Sequence, residues 1–109
     1  MIFDLDAVGL ERVLRPWQAE AMRLLWKGYD YVSREVWEHL QGTDHAMSRA
    51  VVINFLNDMC EEGFLGYVEK TGKGGYHRVY RAKHDSEGAF RYEVAKRVRE
   101  AVEKFLAEE

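Results

Sequence analysis

The segment from Ser48 to Leu65 carries the clearest hydrophobic pattern of the chain. Its apolar side chains recur at the three- and four-residue spacing of an α-helix and form one stripe: Val52, Phe55, Leu56, Met59 and Cys60. Ser48 is a favourable N-cap, and Gly63 is a favourable residue for the C-terminal end. The opposite face carries small or hydrogen-bonding side chains, which need no core. The pattern therefore predicts a helix that packs inward on one side and presents a readable face to solvent.

Two shorter helices are predicted before this segment. The first begins at Pro16 and ends near Gly28, and its apolar face consists of Ala19, Met22, Leu25 and Trp26. The second begins at Ser33, which we interpret as its N-cap, and its apolar side consists of Val36, Trp37 and Leu40. Residues 29–32 favour a short extended piece between the two helices. The first dozen residues show no clear period and are predicted to form an arm.

The pattern changes from helical to alternating after Gly63. Residues 64–70 and 76–82 are predicted to form two short strands, joined by a glycine-rich connection that favours a hairpin. A long amphipathic helix follows from Asp85, with these apolar residues on one side: Phe90, Val94, Val98, Ala101, Val102, Phe105 and Leu106. A three-helix body offers too little surface to cover that stripe. We therefore predict that it forms the seam of a homodimer; the alternative is packing against the first helix of the same chain.

The order of these elements predicts an α+β, mostly α, fold. It is that of a winged helix-turn-helix domain, in which a three-helix body carries a β-hairpin wing, followed here by a long C-terminal dimerisation helix. We assign residues 1–84 to the winged helix domain and residues 85–109 to the dimerisation helix. In domains of this kind the third helix enters the major groove of DNA, and the wing lies on the backbone or in the adjacent minor groove.

Length and composition fit a single globular domain. The chain has 109 residues, of which 47% are hydrophobic and 32% are charged, so disorder is excluded. No apolar run is long enough to cross a bilayer, and the N-terminus lacks the layout of a signal peptide, so no membrane partner is predicted. The single cysteine, Cys60, fits a reducing compartment. We expect a cytoplasmic protein.

The distribution of charge matters more than its sum. A net charge of −3 argues against a strongly basic nucleic-acid binder. Residues 70–84, however, contain five Lys or Arg, two His and no acid, whereas residues 1–40 and 85–109 each contain seven acids against five Lys or Arg. The basic charge is therefore concentrated on the predicted wing, beside the third helix.

The exposed face of the third helix supplies candidate contacts to double-stranded DNA. Asn54 and Asn57 could pair with adenine, since an amide both donates and accepts, and Ala50 and Val51 could touch thymine methyl groups. The helix N-terminus could hold a phosphate with the help of Ser48 and Arg49. The alternative is that this is an ordinary solvent-exposed helix face.

The predicted wing supplies candidate contacts to the DNA backbone. Its basic residues would add sequence-independent affinity through counterion release: Lys70, Lys73, His77, Arg78 and Arg81. The alternative is a solvated hairpin. The acids Asp58, Glu61 and Glu62 oppose close approach of the C-terminal half of the third helix, so we expect contact through its first two turns. Wing packing, not base stacking, is the interpretation that we give to the tyrosines of this region, Tyr67, Tyr76 and Tyr80.

The sequence offers little for metal binding or catalysis. The four histidines and Cys60 have no recognised ligand spacing, so neither a metal nor a cofactor is predicted. The chain contains no nucleophile elbow, phosphate loop, paired carboxylate motif or zinc-protease motif. We therefore predict that the protein is not an enzyme, and no small-molecule effector can be assigned.

Several stretches together resemble the penicillinase-repressor family, the BlaI, MecI and CopY type. The likeness covers residues 14–82 and is carried by L-R-P-W-Q-A-E-A-M-R-L-L-W, V-S-R-E-V, S-R-A-V-V-I-N-F-L-N-D-M-C-E-E-G-F-L and Y-H-R-V-Y-R-A. It implies a dimeric transcriptional repressor. Ala50, Val51 and Asp58 stand where family members often carry Thr, Lys or Arg, so the operator sequence does not transfer. The cysteine-rich motif of the copper-responsive members is absent.

These observations lead to one main functional prediction. The protein is expected to be a homodimeric, sequence-specific regulator of transcription that binds double-stranded DNA and represses, with the helix from Ser48 to Glu62 in the major groove and residues 66–82 as a basic wing. The alternative is a winged-helix module for protein–protein interaction without specific DNA binding. The acidic total charge and the acids of the third helix favour that alternative.

Overall fold

The computed structural model describes residues 2–108, which form a body with extents of 54 × 29 × 23 Å. A short 3₁₀ helix at Gly9–Arg12 precedes four α-helices and three strands within this range: α1 (Pro16–Leu25), β1 (Tyr31–Val32), α2 (Ser33–Gln41), α3 (Arg49–Glu61), β2 (Leu65–Gly72), β3 (Gly75–Ala82) and α4 (Glu87–Ala107). This order confirms the predicted winged helix fold with an additional C-terminal helix. None of the helices within the described range is both long and apolar enough to cross a bilayer.

The ends of α3 follow the predicted capping residues, whereas the start of α2 does not. Ser48 is the N-cap of α3, and its Oγ accepts a hydrogen bond from the backbone N–H of Val51 at 3.3 Å. Gly63 ends the helix with a φ of +84°, which only glycine adopts without strain. The predicted N-cap Ser33 is instead the first residue of α2, because β1 runs directly into this helix. The Glu35 carboxylate accepts the backbone N–H of Val32 at 2.9 Å and caps α2 in its place.

The three strands form one antiparallel sheet in the order β1-β3-β2. The hairpin is paired from Leu65 opposite Ala82 to Gly72 opposite Gly75, so only two residues form the turn. Gly74 in this turn has a φ of +103°, as tight hairpin turns require. Strand β1 pairs with the base of β3, where Tyr31 lies opposite Tyr80. The wing is therefore attached to the helical body at its base and free at its tip.

One continuous core joins all these elements. Met22 of α1, Val36 of α2 and Leu56 of α3 are fully buried in it. The predicted N-terminal arm also contributes, since Leu10 is buried and the backbone N–H of Asp4 donates to the carbonyl of Arg12 at 2.6 Å. The arm thus folds back on itself and closes one side of the core.

The apolar stripe of α4 divides into two parts, which corrects its prediction as one seam. Phe90 and Val94 are buried in the core of their own chain, and Val98 is half-buried against it. The physical reason is aromatic packing, since the Phe90 ring lies 4.8 Å from that of Phe64 and 5.4 Å from that of Trp26. The remaining residues of the stripe are exposed: Ala101, Val102, Phe105 and Leu106. Of the predicted stripe, only this distal part is exposed enough to contact a partner.

The buried position of Phe90 predicts a large loss of stability on truncation. Phe90→Ala should lower the free energy of unfolding by about 3–5 kcal/mol, because it leaves a cavity among aromatic rings. Tyr76→Ala removes an exposed ring from the wing tip and should change stability by roughly 0.5 kcal/mol or less. Urea unfolding of both variants measures the difference. Equal, small effects would show that α4 is not docked on the body.

Candidate nucleic-acid interface

The turn between α2 and α3 is fixed by side chains of α2. Trp37 Nε1 donates to the carbonyl oxygen of Met47 at 3.0 Å, and Gln41 Nε2 donates to the same oxygen at 2.9 Å. Thr43 Oγ1 donates to the carbonyl of Leu40 at 2.7 Å and so closes the C-terminal end of α2. These bonds anchor the turn beside the N-cap of α3, and the core face of α3 fixes its rotation. The outer face of α3 is therefore held in one orientation.

The first turns of α3 present the predicted residues to solvent. Arg49, Ala50, Val51 and Asn54 are all exposed on this face. Ser48 is exposed as well, and its Oγ, which accepts the cap hydrogen bond, can still donate its hydroxyl hydrogen outward. The acids Asp58 and Glu61 follow Asn54 by about one and two helical turns, and both are exposed. The structure thus places a neutral to basic surface at the start of α3 and an acidic one at its end.

Asn57 has a different position from the one predicted for a base-reading residue. Its Oδ1 accepts hydrogen bonds from Tyr80 OH at 2.7 Å and from Arg78 Nη1 at 2.9 Å. Burial raises the pKa of the Tyr80 phenol, which keeps this hydroxyl protonated as a donor. Bidentate pairing with adenine needs both the oxygen and the nitrogen of the amide, and the oxygen is occupied. Asn57 therefore ties α3 to strand β3.

The two predicted wing arginines, Arg78 and Arg81, pair with other side chains of the same chain. Arg78 lies over the ring of Tyr67 at 4.0 Å, in addition to its bond to Asn57. Arg81 forms two hydrogen bonds with the carboxylate of Asp30, at 2.6 and 3.0 Å, and these lower the pKa of Asp30. Both guanidinium groups have thus found geometrically specific partners. Arg78 is less available for phosphate contact than the sequence indicated, whereas the Arg81 side chain remains 70% exposed in its pair with Asp30.

The remaining basic residues of the wing face solvent. Lys70, Lys73 and His77 are exposed, and Lys70 lies directly opposite His77 in the hairpin. Lys73 occupies the two-residue turn at the tip. The available positive charge is therefore gathered at the outer end of the wing.

A groove of about 360 Å³ lies between α3 and the wing, and it brings Arg49 and His77 to one surface, with the acid Glu69 also in its lining. Ser33 and Tyr76 also line the groove, and neither was predicted from the sequence to lie on this surface. Tyr76 was interpreted as wing packing, but its side chain is 81% exposed, because β3 turns it away from the core near the hairpin tip. Ser33 is the first residue of α2, beside the Glu35 carboxylate that caps this helix. Its position at the start of the second predicted helix was the sequence signal that could have identified it.

The C-terminal end of α3 is held by α4. Arg97 Nη1 donates to the backbone carbonyl of Glu62, the C-cap of α3. The same guanidinium lies over the Phe64 ring at 4.1 Å and pairs with the Glu93 carboxylate at 3.1 Å. This pairing lowers the pKa of Glu93. A positive charge at the C-terminal end of a helix is favoured by the helix dipole, so the contact stabilises α3 and joins it to α4.

The described residues contain no arrangement typical of a metal centre. Within residues 2–108, no group of three or more His, Cys, Asp or Glu side chains could hold an ion. Cys60 is half-buried on the inner side of α3, and burial raises the pKa of its thiol. A raised pKa disfavours the reactive thiolate.

Comparison with known proteins identifies the family. The family model described as penicillinase repressor matches residues 15–108, which include α3, the wing and all but the last residue of the chain after it. The match extends the resemblance beyond residue 82 and through α4. The comparisons with curated proteins and with solved structures found no match. The chain therefore belongs to the penicillinase repressor family, a family of DNA-binding transcriptional repressors.

Proposed function

We propose that this repressor acts as a homodimer that reads double-stranded DNA with the first two turns of α3 in the major groove and the wing on the adjacent backbone. The observation that carries the proposal is the groove between α3 and the wing. It sets Arg49 and His77 on one surface, beside the exposed face of α3. A helix and a basic hairpin so arranged match the docking geometry of winged helix domains on DNA.

Sequence is read by a small number of side chains in this proposal. Asn54 pairs with adenine through both atoms of its exposed amide, and Ala50 and Val51 touch thymine methyl groups. Arg49 and the N-terminus of α3 hold a phosphate and set the register. The acids at the end of α3, Asp58 and Glu61, keep that end away from the DNA backbone.

Affinity without sequence preference comes from the wing. Lys70, Lys73 and His77 neutralise phosphates and release counterions. Arg78 and Arg81 act indirectly, because their internal pairs hold the wing at a fixed angle to α3 and β1. The wing thus works as a preformed surface whose charges lie at its tip.

Dimerisation uses the distal part of α4. Three large apolar side chains of this part are exposed: Val102 (49%), Phe105 (72%) and Leu106 (76%). Such exposure is unusual for neighbouring apolar side chains on one helix. A second copy would cover them and direct two α3 helices towards successive major grooves, about 34 Å apart. Occupancy of a promoter by such a dimer excludes other proteins from it and so represses transcription.

Neutralising the wing tip tests the proposed backbone contact. Lys70→Gln with Lys73→Gln should weaken binding to all duplexes about equally and reduce the salt slope of the logarithm of affinity by about 2, since two phosphate contacts are lost. Lys96→Gln on the exposed side of α4 is the matched control. Fluorescence anisotropy at several salt concentrations measures both. If the native protein shows no salt-sensitive affinity for DNA and recovers one stoichiometric protein partner, the protein-interaction alternative is correct.

The two asparagines of α3 should behave differently. Asn54→Ala should lower the preference for a selected operator over random DNA by about 1–3 kcal/mol, because it removes a base contact. Asn57→Ala should instead weaken binding to both duplexes by a similar factor, because it frees Arg78 and Tyr80 and loosens the wing. Competition binding with the operator duplex and the random duplex measures the ratio of the two affinities for each variant. A loss of preference in Asn57→Ala alone would reverse these assignments.

Charge introduced into the distal part of α4 tests the dimer. Val102→Glu with Leu106→Glu should yield a folded monomer and abolish tight binding to a duplex with two half-sites, since buried acids oppose association. Tyr29→Glu changes an equally exposed residue outside α4 and should leave the dimer intact. Light scattering and circular dichroism give mass and folding. A dimeric double variant would locate the seam elsewhere.

A further inference from the structure

We propose that the distal part of α4 docks on the N-terminal arm of the partner, in a crevice between that arm and the first half of α4. The crevice has a volume of about 190 Å³. Its floor consists of Leu10, Phe90 and Val94, which are buried in the core of their own chain, and its more accessible apolar lining consists of Phe3, Val13 and Ala95. The proposal rests on the homodimer proposed above and names the surface that each distal helix covers. The occupant is a second copy of this chain.

The distal stripe by itself is too small for a stable dimer. Its large side chains are Val102, Phe105 and Leu106, which together expose on the order of 400 Å² at most. A stable protein–protein interface buries roughly 800 Å² on each partner. A pairing of the two stripes with each other would therefore supply about half of that area, and the interface must extend to a further surface of each chain.

The N-terminal arm supplies such a surface. Ile2, Leu5 and Val8 are 86%, 80% and 80% exposed, although all three are large and apolar. Soluble monomers seldom leave several such side chains uncovered on one short segment. The arm also has a defined shape, since Arg12 Nη1 donates to the carbonyl of Leu5 at 2.9 Å and its guanidinium lies 5.7 Å from the centre of the Phe3 ring. The arm is therefore preformed, with Phe3 in the lining of the crevice and Leu5 and Val8 on the exposed segment that follows Phe3.

The crevice and the distal stripe lie on the same side of α4. Ala95, Val98, Val102 and Leu106 follow one another at spacings of three and four residues, so they share one side of the helix. An antiparallel pair of α4 helices with its two-fold axis near residues 98–99 places Val102 opposite Ala95 of the partner subunit, and Leu106 opposite Arg91 of the partner subunit. Both positions border the crevice.

The same chain cannot fill its own crevice. Val94 and Phe105 are 11 residues apart on one continuous helix, which corresponds to about 16 Å along its axis. A straight helix holds its distal stripe at that distance from its own arm. A two-fold partner removes the obstacle, because each distal segment reaches the other chain's arm.

Cross-linking of single-cysteine chains tests this contact. With Cys60→Ser in both chains, an equimolar mixture of Leu5→Cys and Leu106→Cys chains is treated with a short bismaleimide, and the linked peptides are identified by mass spectrometry. We expect links between position 5 of one chain and position 106 of the other. In the antiparallel pair the two 106 positions are about 22 Å apart, too far for a short linker. A Tyr29→Cys chain mixed with Leu106→Cys should give no link.

The outcomes separate the two proposals. Links between two 106 positions in a dimeric protein would overturn the arm contact and leave the homodimer standing. A protein that light scattering finds monomeric at all concentrations would overturn the homodimer itself.

A second pair of variants measures the contribution of the arm. Leu5→Asp with Val8→Asp should weaken self-association by about tenfold or more, since two apolar side chains lose their burial. Tyr29→Asp should leave it unchanged. Sedimentation equilibrium gives the dissociation constants, and circular dichroism shows that the variants are folded. An unchanged dissociation constant in the arm variant would overturn the contact.

Discussion

The packing around Phe64 is the constraint on which the other parts of this structure depend. Phe64 follows the glycine that ends α3, and its backbone carbonyl accepts the N–H of Lys83 at 3.1 Å, at the base of the wing. Its ring meets Phe90 of α4 at 4.8 Å, and Arg97 covers the ring from the same helix. One buried residue thus fixes the end of α3, the base of the wing and the first half of α4. Any displacement of one of these elements disturbs the other two.

This coupling explains how a small domain can set a distance on DNA. The C-cap carbonyl of α3 is bonded to Arg97, so α4 leaves the body in a direction tied to that of α3. A two-fold pairing through α4 then converts the direction of one helix into the separation of two α3 helices. In the proposed homodimer the half-site spacing follows from the fold, because α4 is one continuous helix that is bonded to the end of α3. The aromatic packing that stabilises the monomer is in this way also the basis of its proposed register on the operator.

Local features were predictable from the sequence, and long-range pairings were not. Ser48 and Gly63 define the ends of α3 through their own backbone preferences, and both were identified without any knowledge of the fold. The partners of Asn57 and Arg81 lie 21 to 51 residues away in sequence, and no periodic pattern indicates which charge or amide meets which. The sequence correctly indicated that the apolar residues of α4 lie on one side of the helix. Periodicity cannot show whether an apolar side chain such as Phe90 packs against its own core or against a partner.

The redistribution of the arginines limits the ways in which this protein can recognise DNA. Arginine is the side chain that pairs with guanine through two hydrogen bonds, and both wing arginines have partners in the protein, Arg78 in a half-buried position and Arg81 in an exposed pair. The exposed start of α3 retains one, Arg49, at the end where a phosphate is favoured. In the proposed reading mode, discrimination by Asn54 and by methyl contacts favours A·T pairs and amounts to a few kcal/mol for each half-site, about 1–3 for each good contact. Such a reader gains useful specificity by binding two half-sites at once, so the proposed dimer and the proposed recognition chemistry support each other.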